Sequence, residues 1–228
     1  AYFPMVGLVL GLILVGLDLL LRPVLPALLL SVVLIAVIVA LTRALHIDGF
    51  MDTCDALLGG FTRERRLEIF KDSHVGAFAV VGVLVLLLIK VTALASLLGP
   101  TRSLILVLFP CLARWAILLS MDLFPYVRSQ GLGTAFQSGR RAWQLSLGLI
   151  TALAASVLLV GVMGIVLLAL ASVVAWALGR WASSLLGGVT GDIYGAINEV
   201  SEAAVLVMAV ILIASSPLAL KSPLAALV

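Results

Sequence analysis

Residues 46–76, HIDGFMDTCDALLGGFTRERRLEIFKDSHVG, run directly into residues 77–98, AFAVVGVLVLLLIKVTALASLL. The second stretch decides the fold. Lys90 is its only charge, and about 20 mostly apolar residues are what an α-helix needs to cross the hydrocarbon core. Similar runs recur over Met5–Leu21, Val24–Leu41, Ser103–Leu123, Leu145–Val160, Ile165–Leu186 and Ala196–Ala214. Backbone groups inside a bilayer must be paired within the spanning segment, so these runs are helices. The sequence predicts an all-α, polytopic helical membrane protein with about seven transmembrane helices. Several spans lie near the lower length limit, which implies tilt or local thinning of the bilayer.

Composition agrees. The chain is 64% hydrophobic and 11% charged, against about 25% charged in an ordinary soluble domain, and its mean hydropathy is +1.31. No run resembles a signal peptide. No linker or compositional break divides the chain, so residues 1–228 are expected to be one integral membrane domain. The opening Ala1-Tyr2-Phe3-Pro4 carries no initiator Met, and an N-terminal segment is expected to be missing. Net charge +3 and pI near 9.2 need no nucleic-acid partner, because basic loops orient membrane helices. Cys54 and Cys111 are expected to be free thiols.

The polar segments alternate in character. Arg43–Gly76 carries Arg43, Arg63, Arg65, Arg66 and Lys71, and Phe124–Gln144 carries Arg128, Arg140 and Arg141. The short connections at Arg22–Pro26, Gly99–Arg102 and Gly161–Gly164 carry at most one basic residue each. The positive-inside rule places the two basic loops in the cytoplasm, and alternation places Gly187–Gly195 beside them. Three polar segments thus converge on one side, as a site assembled from distant parts of a chain requires.

Within residues 46–76 stand Asp48, Asp52, Asp55, Glu64, Glu68 and Asp72, six of the eleven acidic residues. Asp48, Asp52 and Asp55 fall at i, i+4 and i+7, one face of a helix. Carboxylates this close repel unless a cation lies between them, so a Mg²⁺ site sharing substrate phosphate oxygens is expected, against the plainer reading of a solvated acidic face. Arg63 to Asp72 reads as an amphipathic helix on the membrane surface, with Leu67 and Phe70 on its apolar side. Arg63 and Arg66 are candidate phosphate ligands, against the plainer reading in which Glu64 and Glu68 pair along the helix with Lys71 and the nearby arginines. Asp72 either caps the following helix or completes a metal shell. His46 and His74 read equally as ligands or bystanders.

The third constellation is Gly187 to Glu202, GGVTGDIYGAINEVSE. Asp192 and Glu199, seven residues apart, nearly superpose on a helix. Asn198, Glu199 and Glu202 enter an apolar span, where ionisable groups are costly and usually functional. Metal binding, substrate orientation and a general-base role all remain open for them. Lys90, Arg114 and Arg180 are expected to snorkel to the interface, with Arg114 also a candidate phosphate or acidic-residue partner. Asp18 is expected to be wet.

The segment His46–Asp55 resembles the HLDG-x2-DT-x-D signature of the cobalamin synthase family, the adenosylcobinamide-GDP ribazoletransferases. The resemblance continues through Arg63–Ile69, Lys71–Gly76, Tyr126-Val127-Arg128 with Gly131-Leu132-Gly133, and Gly191–Glu202. Phe3–Gly7 is also similar to the family's opening. Phe50 stands where Leu is usual, and Ala56 where Gly often follows the last Asp. The resemblance implies that adenosylcobinamide-GDP is joined to α-ribazole, or its 5′-phosphate, with release of GMP and a requirement for Mg²⁺. Carried onto this chain, Asp48, Asp52, Asp55 and Asp72 become the metal set. His46, Arg63, Arg66, Lys71, Ser73, Arg128 and Asn198 become substrate or phosphate contacts, and Asp192, Glu199 and Glu202 the catalytic candidates. The same reading implies contact with membrane lipid, a possible homo-oligomer, and a bacterial or archaeal inner membrane with the site facing the cytoplasm.

Three rivals bear on the reading. A CDP-alcohol phosphotransferase needs an Ala-Arg that Met51-Asp52 does not supply, and an aspartate-rich prenyltransferase fits the Gly191–Glu202 block poorly. An ion-coupled transporter needs acids at the bilayer midplane, whereas these read as lying at helix ends.

Overall fold

A computed structural model describes residues 1–127 and 142–215. Its helices are α1 (Phe3–Leu21), α2 (Ala27–Leu41), α3 (Leu45–Gly59), α4 (Arg63–Ile69), α5 (Ala77–Ser96), α6 (Gly99–Leu123), α7 (Ala142–Val160), α8 (Val162–Leu186) and α9 (Gly191–Ser215). Among the described residues there is no named strand, only an isolated parallel bridge between Tyr126 and Val189. Cys54 and Cys111 are free thiols.

Among the described residues six helices, α1 and α5 to α9, are long and apolar enough to cross a membrane. A seventh crossing is reached only by counting α2 and α3 as one span, bent by 91° at their junction. The span expected at Val24–Leu41 is therefore shorter than predicted, with 15 residues in α2. The bend is made without glycine or proline. Arg43 and Ala44 both take positive φ, 53° and 57°, a region where a side chain crowds its own carbonyl at a cost of about 1–2 kcal/mol per residue. Backbone hydrogen bonds hold the turn, among them Ala44 N–H to the Val39 carbonyl at 2.8 Å and Leu45 N–H to that of Thr42 at 3.1 Å.

α6 is the central helix, with 83% of its spanning window buried against 28% for α1 and α5. It packs on α1, α7, α8 and α9. The outward faces of the surrounding helices are apolar and exposed, including Leu12, Leu20, Leu84, Leu88 and Ile150, as expected where lipid is the solvent. Burying apolar area gains little between helices already in hydrocarbon, so close approach must supply the attraction. Gly7 and Gly11 of α1, four residues apart, supply it: a Cβ on Gly11 would lie 2.6 Å from the Val107 Cα, and one on Gly7 2.6 Å from the Cys111 Cα.

Capping sets the entry of the polar elements. Thr62 Oγ1 accepts the Arg65 N–H at 3.2 Å and starts α4, the expected surface helix. Gly187, at φ 84°, ends α8 in the left-handed conformation common after helices. Thr190 Oγ1 accepts the Ile193 N–H at 3.4 Å near the start of α9.

Candidate active site

The aspartate helix α3 lies backbone to backbone on the first turns of α9. A Cβ on Gly49 would fall 2.8 Å from the Asp192 carbonyl oxygen and 2.9 Å from its Cα. From the other side, a Cβ on Gly195 would fall 2.9 Å from the His46 carbonyl oxygen. Only glycine permits such approach. Residues 146 positions apart in sequence thereby share one surface, with Asp48 and Asp52 on one helix and Asp192 on the other.

Two further segments close around this junction. Val127 N–H donates to the Val189 carbonyl at 2.9 Å, and Val189 N–H to that of Pro125 at 2.8 Å. Tyr126 stacks on Tyr194, with centroids 6.2 Å apart and planes at 17°. From α4, Arg63 Nε donates to the Leu186 carbonyl at 2.8 Å, tying the surface helix to the end of α8. The expected convergence of polar segments is present in these contacts. Arg128 lies outside the described residues.

The four aspartates read as a metal set are distributed differently from one another. Asp48 is exposed and Asp52, one turn on, is half-buried. Asp55 accepts the Gly76 N–H on Oδ2 at 2.6 Å and the Ala79 N–H on Oδ1 at 2.9 Å. It serves as the N-cap of α5 from a different helix, where a negative charge meets the positive end of the helix dipole. Asp72 Oδ1 pairs with His74 Nδ1 at 2.6 Å and accepts the His74 N–H at 3.1 Å. Those bonds hold the Asp72 carboxyl below its ordinary range and raise the His74 imidazole above its own. Among the described residues no three His, Cys, Asp or Glu side chains are grouped so as to hold a metal ion. Mg²⁺ needs fewer, since it commonly takes one or two carboxylates and completes its shell with water and substrate phosphate. Asp48 and Asp52 fit that arrangement.

Lys71 and Ser73 are exposed beside Asp72, and Arg66 is half-buried on α4. The surface ion pair on α4 joins Arg65 to Glu68 at 3.0 Å, so i, i+3 pairing accounts for part of this charge and leaves Arg66 outside that pair. His46 is half-buried, with its Nδ1 enclosed and without a hydrogen-bond partner.

Glu199 and Glu202 lie eight and eleven residues past Gly191, about 12 and 17 Å along α9. Lys90 Nζ bonds Glu199 Oε2 at 2.8 Å and Glu202 Oε2 at 2.6 Å. Arg114 pairs with the other oxygen of Glu202. Asn198 Nδ2 donates to Glu199 at 3.1 Å and to Glu202 at 3.2 Å. All five side chains are 5% exposed or less. Two carboxylates meet two cations, so the group is neutral, which is what a low-dielectric interior demands. Lys90 and Arg114 do not snorkel; they are the inner partners of these acids. The acids are also deeper than the helix-end placement expected of them. The signal lay in the charge balance: of the charged residues inside the apolar runs, two acids on the last span match a lysine and an arginine on two others. Arg180, by contrast, is exposed as expected.

A family model described as cobalamin-5-phosphate synthase matches residues 1–210. A protein of Desulfitobacterium hafniense named adenosylcobinamide-GDP ribazoletransferase is 44% identical over 209 residues, 88% of this chain and 81% of that protein. Proteins of the same name from Synechococcus elongatus and Pseudomonas fluorescens are 41% and 40% identical, each over 90% of this chain and over 83% and 85% of their own length. No solved structure matches. With a match that takes in α1 through most of α9, and relatives aligned across more than four-fifths of their length, this chain belongs to the cobalamin-5-phosphate synthase family.

Proposed function

We propose that this membrane protein is an adenosylcobinamide-GDP ribazoletransferase, making adenosylcobalamin, or its 5′-phosphate, and GMP. The observation that carries the reading is the close approach of Gly49 to Asp192 and of Gly195 to His46, which brings the aspartate helix against the start of α9. A site of that kind suits transfer at a phosphodiester, where positioning and charge neutralisation do most of the work.

In the reaction, a hydroxyl of α-ribazole, or of its 5′-phosphate, forms a new P–O bond to the phosphorus attached to cobinamide. The bond from that phosphorus to the bridging oxygen of GMP breaks, and GMP leaves with the electron pair. Asp192, half-buried at the start of α9 with Thr190 Oγ1 donating to its Oδ2 at 3.1 Å, would take the hydroxyl proton. Asp48 and Asp52 would hold Mg²⁺, which supplies neutralisation of the diphosphate and of the charge on the departing phosphate. Arg66, Lys71 and Arg128 add positive charge for the phosphates. Glu199 and Glu202 act from beneath, as positioning residues that fix α9 to α5 and α6 through Lys90 and Arg114. The site is proposed to face the cytoplasm, on the side of the basic loops.

Purified protein in lipid vesicles, supplied with adenosylcobinamide-GDP and α-ribazole, is expected to release GMP in step with corrinoid product. Excess chelator is expected to stop it, and Asp52→Asn to reduce turnover by at least a hundredfold while the protein stays folded. Full turnover in chelator defeats the metal assignment. Absence of GMP, with CMP or pyrophosphate released from other donors, defeats the activity.

A further inference from the structure

The end of the bundle farthest from α3 carries a second polar assembly. Arg102, 3% exposed, donates from Nε to Asp18 Oδ1 at 2.7 Å and from Nη1 to the Leu94 carbonyl at 2.6 Å and Ser31 Oγ at 3.2 Å. Asp18 is fully buried, not wet as its position near a span end suggests, and its other oxygen pairs with Arg22. Two guanidiniums therefore share one carboxylate. The Nη2 of Arg102 is buried and has no hydrogen-bond partner, which is costly for a charged donor.

A cavity of about 140 Å³ opens against these groups, between the α1–α2 turn and the α5–α6 turn. Arg22 and Arg102 line it, together with Leu25, Leu30, Leu97 and Leu98. The Arg22 side chain is 38% exposed and Leu98 is 69% exposed, so the mouth is open and its rim is half cationic and half apolar. α5, 20 residues long, separates this cavity from the Asp55-capped face by about 30 Å, one bilayer core.

We infer that this cavity binds the phosphate of an anionic phospholipid, in the leaflet opposite the α3–α9 face. The net charge of Arg22, Arg102 and Asp18 is +1, which an anion neutralises. Arg22 and Arg102 both stand on the cavity wall, and guanidinium favours phosphate through paired hydrogen bonds. The leucine walls distinguish a lipid from a free ion, because they offer nothing to inorganic phosphate and continue into the exposed apolar surface where acyl chains lie.

The test reads binding and is independent of turnover. Protein in neutral detergent is melted with dioctanoyl phosphatidylglycerol, dioctanoyl phosphatidylcholine or inorganic phosphate. Phosphatidylglycerol is expected to raise the melting temperature saturably by several degrees, with little shift from the other two. Arg22→Gln is expected to raise the half-saturating concentration at least tenfold, and Arg22→Lys to keep it within a few-fold. Ala27→Glu puts a carboxylate on the exposed cavity wall at the start of α2, where it also suits the helix dipole, and is expected to remove the preference for phosphatidylglycerol. Equal shifts from phosphatidylglycerol and phosphatidylcholine overturn the inference. So does an equal shift from inorganic phosphate, or unchanged affinity in either Arg22→Gln or Ala27→Glu.

Discussion

Lys90 has an apolar stem of four carbons and could reach an interface from many places in a span, yet it bonds Glu199 and Glu202 inside the bundle. Losing it would leave two buried carboxylates facing Arg114 alone. Lys90→Met is expected to destabilise the protein by about 3–5 kcal/mol, the usual cost of breaking a buried pair from one side. Adding Glu199→Gln to that variant should recover part of the loss, since the removed charges then match. Unfolding in detergent measures both, and a Lys90→Met loss below about 1 kcal/mol contradicts the neutral-cluster account. At the surface, Asp72 makes a different prediction. Its carboxylate raises the His74 imidazole above the ordinary range, so the ion pair is complete up to about pH 6.5 wherever Asp72 is ionised, and fades as pH climbs through the raised value. Ring resonances of His74 should titrate above the ordinary imidazole range and return to it in Asp72→Asn. An unchanged titration would show that the contact is absent. Asp48, Asp52 and Asp55 could be placed on one helical face from their spacing alone. That Asp55 caps α5 could not, because its partners are the N–H groups of Gly76 and Ala79, which local periodicity does not reach.

Among elements, the pair α3 and α9 matters most. Gly49→Ala would set a methyl 2.8 Å from the Asp192 carbonyl and 2.9 Å from its Cα, and backbone cannot retreat as a flexible side chain can. Overpacking of this kind costs about 1–3 kcal/mol, but the sharper effect is on alignment of the two helices. Turnover by GMP release is expected to fall at least tenfold, with a smaller effect on the melting temperature. Wild-type turnover in Gly49→Ala would mean that close contact is dispensable. The apolar runs that became α1 and α5 to α9 were readable because hydropathy over a span-length window suffices. The 91° break between α2 and α3 was not, because Arg43 and Ala44 adopt positive φ without being residues that favour it. Tertiary packing of α3 against α5 and α9 overrides their preference. The glycines at 7 and 11 were equally visible as letters, but their role depended on knowing that α6 is the partner.

Across the whole molecule, two polar assemblies stand at opposite ends of an apolar bundle, and the family match over residues 1–210 takes in both. Convergence of the polar segments was legible from the alternation of basic and neutral loops; of the inner cluster only the charge balance was, since its charged members come from three spans and none of its ion pairs is local. The most direct test of the central claim, that α3 and α9 build one site at one membrane face, is sided labelling. Asp52→Cys and Asp192→Cys are made singly in protein whose Cys54 and Cys111 are replaced by serine. A membrane-impermeant maleimide is then applied to intact cells and to inverted vesicles. Both cysteines are predicted to react from the same side, and a cysteine at Arg22 from the other. Reaction of the Asp52 and Asp192 positions from opposite sides would contradict the account outright.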